Sequence, residues 1–157
     1  MAKICVGLTV LLFPYAGFYS VLVLAALFLL ERRVRVLSAS LAFLLILSFG
    51  LESTSFKLPI YLVAVSFVAP TFGALASRRF QDLGKSLAYL TTTTVLGGLA
   101  ILWTTTNASI EPERVLFLAT LGGLSGSFLH TASTERDFAV PFGSCMVMWL
   151  FSFDYPL

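Results

Sequence analysis

The stretch Ala69-Pro70-Thr71-Phe72-Gly73-Ala74-Leu75-Ala76-Ser77-Arg78-Arg79-Phe80-Gln81-Asp82-Leu83-Gly84-Lys85-Ser86-Leu87 joins the end of one apolar run to the start of another through a short basic loop. The run before it begins near Leu58, and the run after it continues through Thr91-Thr92-Thr93-Thr94 to Trp103. A helix needs about 20 apolar residues to cross the hydrocarbon core of a bilayer. Two runs near that length, separated by charges that are costly to hold in lipid, read as a pair of transmembrane helices with a polar turn between them.

The rest of the chain repeats this pattern. Of 157 residues, 58% are hydrophobic and 11% charged, against about 25% charged in soluble domains. The chain therefore reads as one all-α, polytopic membrane domain over residues 1–157, with about six transmembrane helices near 4–30, 36–51, 58–77, 86–103, 115–131 and 138–153. Pro14 and Gly17 are expected to kink the first helix, as membrane helices tolerate when neighbours satisfy the freed carbonyls. Its apolar stretch continues to Leu30, longer than the core of a signal peptide and without a small-residue cleavage pattern. Pro59 falls in the first turn of the third helix, where its missing N–H costs nothing.

Small and hydroxyl residues mark the faces on which these helices meet. Thr91–Thr94 with Gly97-Gly98, and Gly122-Gly123 with Ser125-Gly126-Ser127, permit close approach and hydrogen bonds between helices. Trp149 and Tyr155 fall where interfacial aromatics sit. Cys5 and Cys145 lie in apolar runs and read as small hydrophobes, with no spacing that argues a metal site or a disulfide. Asn107-Ala108-Ser109 matches a glycosylation acceptor, a tripeptide common by chance.

Charge distribution orients the bundle. The loops at 31–35, 78–85 and 132–137 hold Arg32, Arg33, Arg35, Arg78, Arg79, Lys85 and Arg136, whereas the other side holds Lys3, Lys57 and Arg114. The positive-inside bias places the first set in the cytoplasm and both termini opposite. A net charge of +2, with basic residues confined to short loops, argues against a nucleic-acid partner.

Gly84-Lys85-Ser86 matches the end of a phosphate-binding P-loop, but that motif needs glycine where Arg79 stands, and it needs a strand–turn–helix context. What the loop does offer is two guanidinium groups and an ammonium beside a helix N-terminus, a set suited to phosphate oxygens. The same cations are also what the positive-inside rule places in any cytoplasmic loop.

The segment Ala69 to Phe80, followed by Gly84-Lys85-Ser86-Leu87, resembles the CTP-dependent polyprenol, dolichol and phytol kinases, integral membrane lipid kinases related to phosphatidate cytidylyltransferases. Thr134-Glu135-Arg136-Asp137-Phe138-Ala139-Val140-Pro141-Phe142-Gly143-Ser144 resembles that family's second motif, which opens its last helix. The resemblance covers about the last ninety residues. It implies a lipid kinase that takes an isoprenoid alcohol from the bilayer and phosphate from CTP with Mg²⁺ at the cytoplasmic face. It also implies that Arg78, Arg79, Lys85 and Ser86 bind nucleotide phosphate.

Several positions depart from the family pattern. Pro70 stands where the family has its metal-binding acid, Leu129 where a glutamate is expected, and Glu135-Arg136 where two acids precede the Val-Pro pair. Val34-Arg35-Val36-Leu37-Ser38 lacks the histidine of the upstream signature. Since phosphoryl transfer rests on positioning and charge neutralisation with metal carboxylates central to it, activity would require replacement acids. Asp82 and Asp137 are the candidates, as catalytic groups and shared Mg²⁺ ligands; alternatively Asp82 pairs with a nearby arginine. His130, the single histidine, is a further candidate as an ionisable group near membrane depth, or else an interfacial residue with a local hydrogen bond.

Two functions stay open on the sequence. One is a divergent CTP-dependent lipid alcohol kinase. The other is a catalytically inactive relative acting as a lipid-binding or structural subunit of a membrane complex, with membrane lipids and partner chains as its ligands. A transporter is a third class, against which stands the lack of charge pairs within the runs.

Overall fold

The computed structural model describes residues 2–30, 34–49, 59–78, 80, 82–105 and 111–152. Among them every regular element is helical. In chain order these are α1 (Ala2–Leu11), α2 (Phe13–Ala16), α3 (Phe18–Leu30), α4 (Arg35–Phe49), α5 (Ile60–Val68), a π-helical segment (Ala69–Gly73), α6 (Ala74–Ser77), α7 (Asp82–Thr104), α8 (Pro112–Ala132) and α9 (Arg136–Ser152). Arg32, Arg33, Lys57, Arg79, Asn107 and Tyr155 lie outside the described residues.

Three helices are long and apolar enough to cross a membrane: Ile60–Ser77, in which α5 and α6 are joined by the π-helical segment, Leu83–Thr104 and Pro112–Ala132. They match the expected runs three, four and five. The starts follow from local chemistry. Pro112 opens α8 after an extended Glu111, where an absent N–H removes a donor that would have had no intrahelical partner anyway. The remaining helices are shorter: α3 has 13 residues, α4 has 15 and α9 has 17.

The first run departs from expectation. Instead of one kinked helix over 4–30, the chain folds back on itself, and the reversal sits at Gly17, whose φ of +53° lies in the left-handed region. Glycine enters that region without the steric cost an L side chain carries, so the helix stops there and restarts in a new direction. Pro14 in α2 adds a missing N–H just before the break. Cross-links between elements fix where the two arms go. Lys3, at the start of α1, pairs with Asp137 at the start of α9. Ser40 Oγ donates to the Asp137 carbonyl at 3.2 Å, and Arg35 Nε donates to the Phe28 carbonyl at 3.2 Å. Lys3 and the end of α3 therefore share one end of the bundle, while Tyr15 at the turn packs against Trp103 at the far end, with ring centroids 5.9 Å apart and planes tilted by 56°.

This corrects the expected placement of the N-terminus. It does not lie across the bundle from the 132–137 loop; it lies against it. The described cations Lys3, Arg35, Arg78, Lys85 and Arg136 occupy one end, and Arg114, whose Nη2 donates to the Ser152 carbonyl at 3.2 Å, occupies the other. The charge asymmetry is sharper than the expected topology allowed, because Lys3 moves to the basic side.

The central layer is built around Val65. All of Tyr61–Val68 is buried. A Cβ at Gly122 would stand 2.8 Å from both Val65 Cγ1 and Met148 Sδ, and one at Gly97 would stand 3.2 Å from Val65 Cγ1. Absence of side chains on α7 and α8 at these levels is what lets α5, α7, α8 and α9 meet around one valine. The outer faces carry exposed Leu22, Leu29, Val95, Leu99, Leu116, Leu124 and Phe128. Apolar surface of this extent is stable against lipid tails, not against water.

Candidate functional site

The basic end gathers groups from four helices. Around His130, near the end of α8, the charges of Arg136, Lys85, Lys3 and Asp137 all lie within electrostatic reach. The His130 ring stacks on Tyr89, with centroids 5.3 Å apart and planes 28° from parallel. Lys85, Tyr89 and Thr93 succeed one another at four-residue spacing, which places them on one face of α7. This face descends from the charged end into the bundle: Lys85 is exposed, and Tyr89 and Thr93 are buried.

The fate of each expected site residue differs. Lys85 joins the cluster. Ser86, exposed and one position on, lies about 100° around the helix from Lys85. Arg78 caps α6 with its own N–H on the Leu75 carbonyl, and its exposed side chain is not among the charges acting on His130. Arg79 lies outside the described residues, and Asp82 is described only as the first residue of α7. Asp137 is half-buried in the first turn of α9, with its carboxylate on the Lys3 ammonium.

That ion pair bears on metal binding. Mg²⁺ is held through one or two carboxylates together with substrate phosphates and water, so a carboxylate must face it. The Asp137 carboxylate faces Lys3 instead. Among the described residues no group of three His, Cys, Asp or Glu side chains converges to hold a metal. No step is therefore assigned to Mg²⁺ at Asp137.

At the opening stretch, Pro70 sits inside a continuous helical path and cannot donate to the preceding turn. The chain widens there into the π-helical segment Ala69–Gly73, a common response to an interrupted ladder. The Thr71 hydroxyl donates to the Phe67 carbonyl at 2.8 Å and the Val68 carbonyl at 3.3 Å, restoring donors beside the interruption. Gly73 ends the segment where α7 approaches closest. A Cβ there would stand 2.6 Å from Thr93 Oγ1 and 3.2 Å from Tyr89 Cζ.

Hydroxyl groups separate into two sets at this level. Thr71, Thr91, Thr104, Ser125 and Ser144 donate to carbonyls of their own helices. Among the described residues the buried hydroxyls of Tyr89 and Thr93, like that of Ser20, have no hydrogen-bond partner. Thr93 Oγ1 and the Tyr89 ring lie against Gly73. Sequence reading missed Lys3, Tyr89 and Arg136 as members of the site. The four-residue spacing from Lys85 to Tyr89 was a usable signal; nothing local linked Lys3 to Asp137, 134 positions away.

No family model, no curated protein and no solved structure matches the chain.

Proposed function

We propose that this chain is a multi-span membrane protein, with its basic end toward the cytoplasm, that engages membrane lipid without transferring phosphate. In the terms of the resemblance, it is a non-catalytic relative of the polyprenol kinases, serving as a lipid-binding or structural subunit of a membrane complex. The observation that carries this reading is the engagement of Asp137 by Lys3. The acid best placed among the basic groups is occupied by the chain's own ammonium. The three long helices cross the bilayer, and α4 and α9 complete crossings by local thinning and snorkelling of flanking residues. The α1–α2 and α3 arms insert as a hairpin from the basic side.

Catalysis is the second reading, favoured by the gathering of Lys85, Arg136 and Asp137 around His130, as a CTP site would require. Incubating purified protein with labelled CTP, Mg²⁺ and a panel of isoprenoid alcohols separates the two. The lipid-binding reading expects no transfer and no CTP retention. Transfer that disappears in Lys85→Ala would replace it with a kinase.

A further inference from the structure

We propose that the α1–α2 arm is a strap that opens and closes over α5, hinged at Gly17 and latched by the Lys3–Asp137 ion pair. The inference goes beyond the lipid-engaging reading above and does not depend on it. The span Ile60–Ser77 is 69% buried, against 28% for Leu83–Thr104 and 33% for Pro112–Ala132. Part of that cover comes from the arm, because α1 packs on α5 and on the π-helical segment that follows it.

The arm is held less firmly than the spans. α1 has 10 residues and α2 has 4, short of the about 20 that a crossing needs, so bilayer thickness does not fix its place. Val6 and Val10, fully buried at four-residue spacing, seat α1 on the bundle. Cys5, Leu8 and Leu12 on its exposed positions suit lipid as well, so an arm lifted off α5 stays in an apolar medium. Lipid tails are as apolar as the helices they replace, which leaves packing alone, without a hydrophobic driving force, to hold the valines in place. Thr9, the one hydroxyl residue of α1, donates to the Cys5 carbonyl at 2.9 Å within its own helix and adds no tie across.

The two ends of the arm are tied by different chemistry. At its base, Tyr15 packs against Trp103, and the left-handed Gly17 has open space where a side chain would stand, so the turn can flex while the base stays docked. At its tip, Lys3 engages Asp137. The receiving half of this latch is fixed to the body of the bundle, since Asp137 lies in the first turn of α9 and its carbonyl accepts from Ser40 Oγ of α4 at 3.2 Å. The two side chains are 41% and 31% exposed, so water and salt reach the pair and it breaks and re-forms at little cost. A weak ionic latch at the tip of a short arm, with a glycine turn at its base, gives two states. In one, Val6 and Val10 lie against the bundle; in the other, that face of α5 meets lipid.

The test measures distances by pulsed electron spin resonance on the full chain in lipid nanodiscs. One spin label sits on Cys5 and the other on Leu87→Cys, both exposed, while Cys145 is buried and stays unlabelled. The expected result is a predominant short distance with a minor longer one. Lys3→Gln should enlarge the longer population about threefold, the scale of a partly exposed ion pair, and Lys3→Arg should leave it unchanged. Lys3→Glu, which sets two like charges at the latch, should make the longer distance predominate, and adding Asp137→Lys should restore the shorter one. A control pair on the spans, Leu87→Cys with Leu116→Cys in a Cys5→Ser background, should keep one distance in every variant. One unvarying Cys5 distance across the position 3 variants overturns the strap. So does a longer population in Lys3→Glu that the charge swap does not reverse. Broadening of the control pair alongside the Cys5 pair also overturns it, because the ion pair would then support the whole bundle and not a separate arm.

Discussion

At the scale of single residues, the glycines with the closest neighbours are the sharpest points of constraint. Gly122→Leu must displace Val65 and Met148, each 2.8 Å from the new Cβ. Overpacking of this kind costs about 1–3 kcal/mol, which a thermal melt in detergent should register as a lowered midpoint. Gly98→Ala is the contrasting case, because its Cβ meets only Val115 Cγ1 at 3.8 Å. There the helix gains about 0.5–1 kcal/mol from reduced backbone freedom in the unfolded chain, and the midpoint should hold or rise. Gly17 differs from both. A Cβ there meets nothing within 4 Å, yet φ is +53°, so Gly17→Ala is expected to cost about 1–2 kcal/mol through backbone strain alone. Gly17→Asn should recover part of that loss, since asparagine tolerates the left-handed region.

Among the elements, the path from Ile60 to Ser77 shows how a membrane helix carries a proline. Composition made it long and apolar enough to cross a membrane, and Pro70 made part of it π-helical. Thr71 then supplies a donor to carbonyls of the preceding turn. Thr71→Val keeps the shape and removes the hydroxyl, so a stability loss of about 1 kcal/mol is expected, whereas Thr91→Val, on an exposed position of α7, should change the same melt by a few tenths at most. Of the six expected spans, the three long apolar helices were legible from run length, and so were the small-residue faces of α7 and α8. The π-helical widening was not, because a proline in an apolar run is equally compatible with a kink, a break or a wider turn until neighbouring helices decide which carbonyls are covered.

For the whole molecule, successive segments alternate in direction, beginning with the α1–α2 arm at the basic end and finishing with α9 running away from it. The termini are consequently expected on opposite sides of the membrane. Reporter fusions check this: a fluorescent protein at the N-terminus should mature in the cytoplasm, and a periplasmic or lumenal phosphatase should be active only at the C-terminus. Both reporters active on one side would reject the hairpin at Gly17. The expected six-helix topology placed both termini together because a run from 4 to 30 is long enough for one crossing, and length alone does not distinguish a long helix from two short ones folded together.

What the sequence by itself determined is the element type and the three runs long and apolar enough to cross a membrane. Long apolar runs with few charges suit lipid, and in lipid backbone groups must be satisfied within each segment, which favours helices in a chain with this pattern. It also marked Lys85 as a cation beside a helix start. Only the tertiary structure decided what those charges meet. Lys3 reaches Asp137 because a left-handed glycine reverses the first run, and Arg136 and His130 join Lys85 because α7, α8 and α9 are antiparallel neighbours. Periodicity and composition act over a few helical turns, whereas the pairing of a site across 134 positions depends on the direction each helix takes after its loop, which those local signals do not carry.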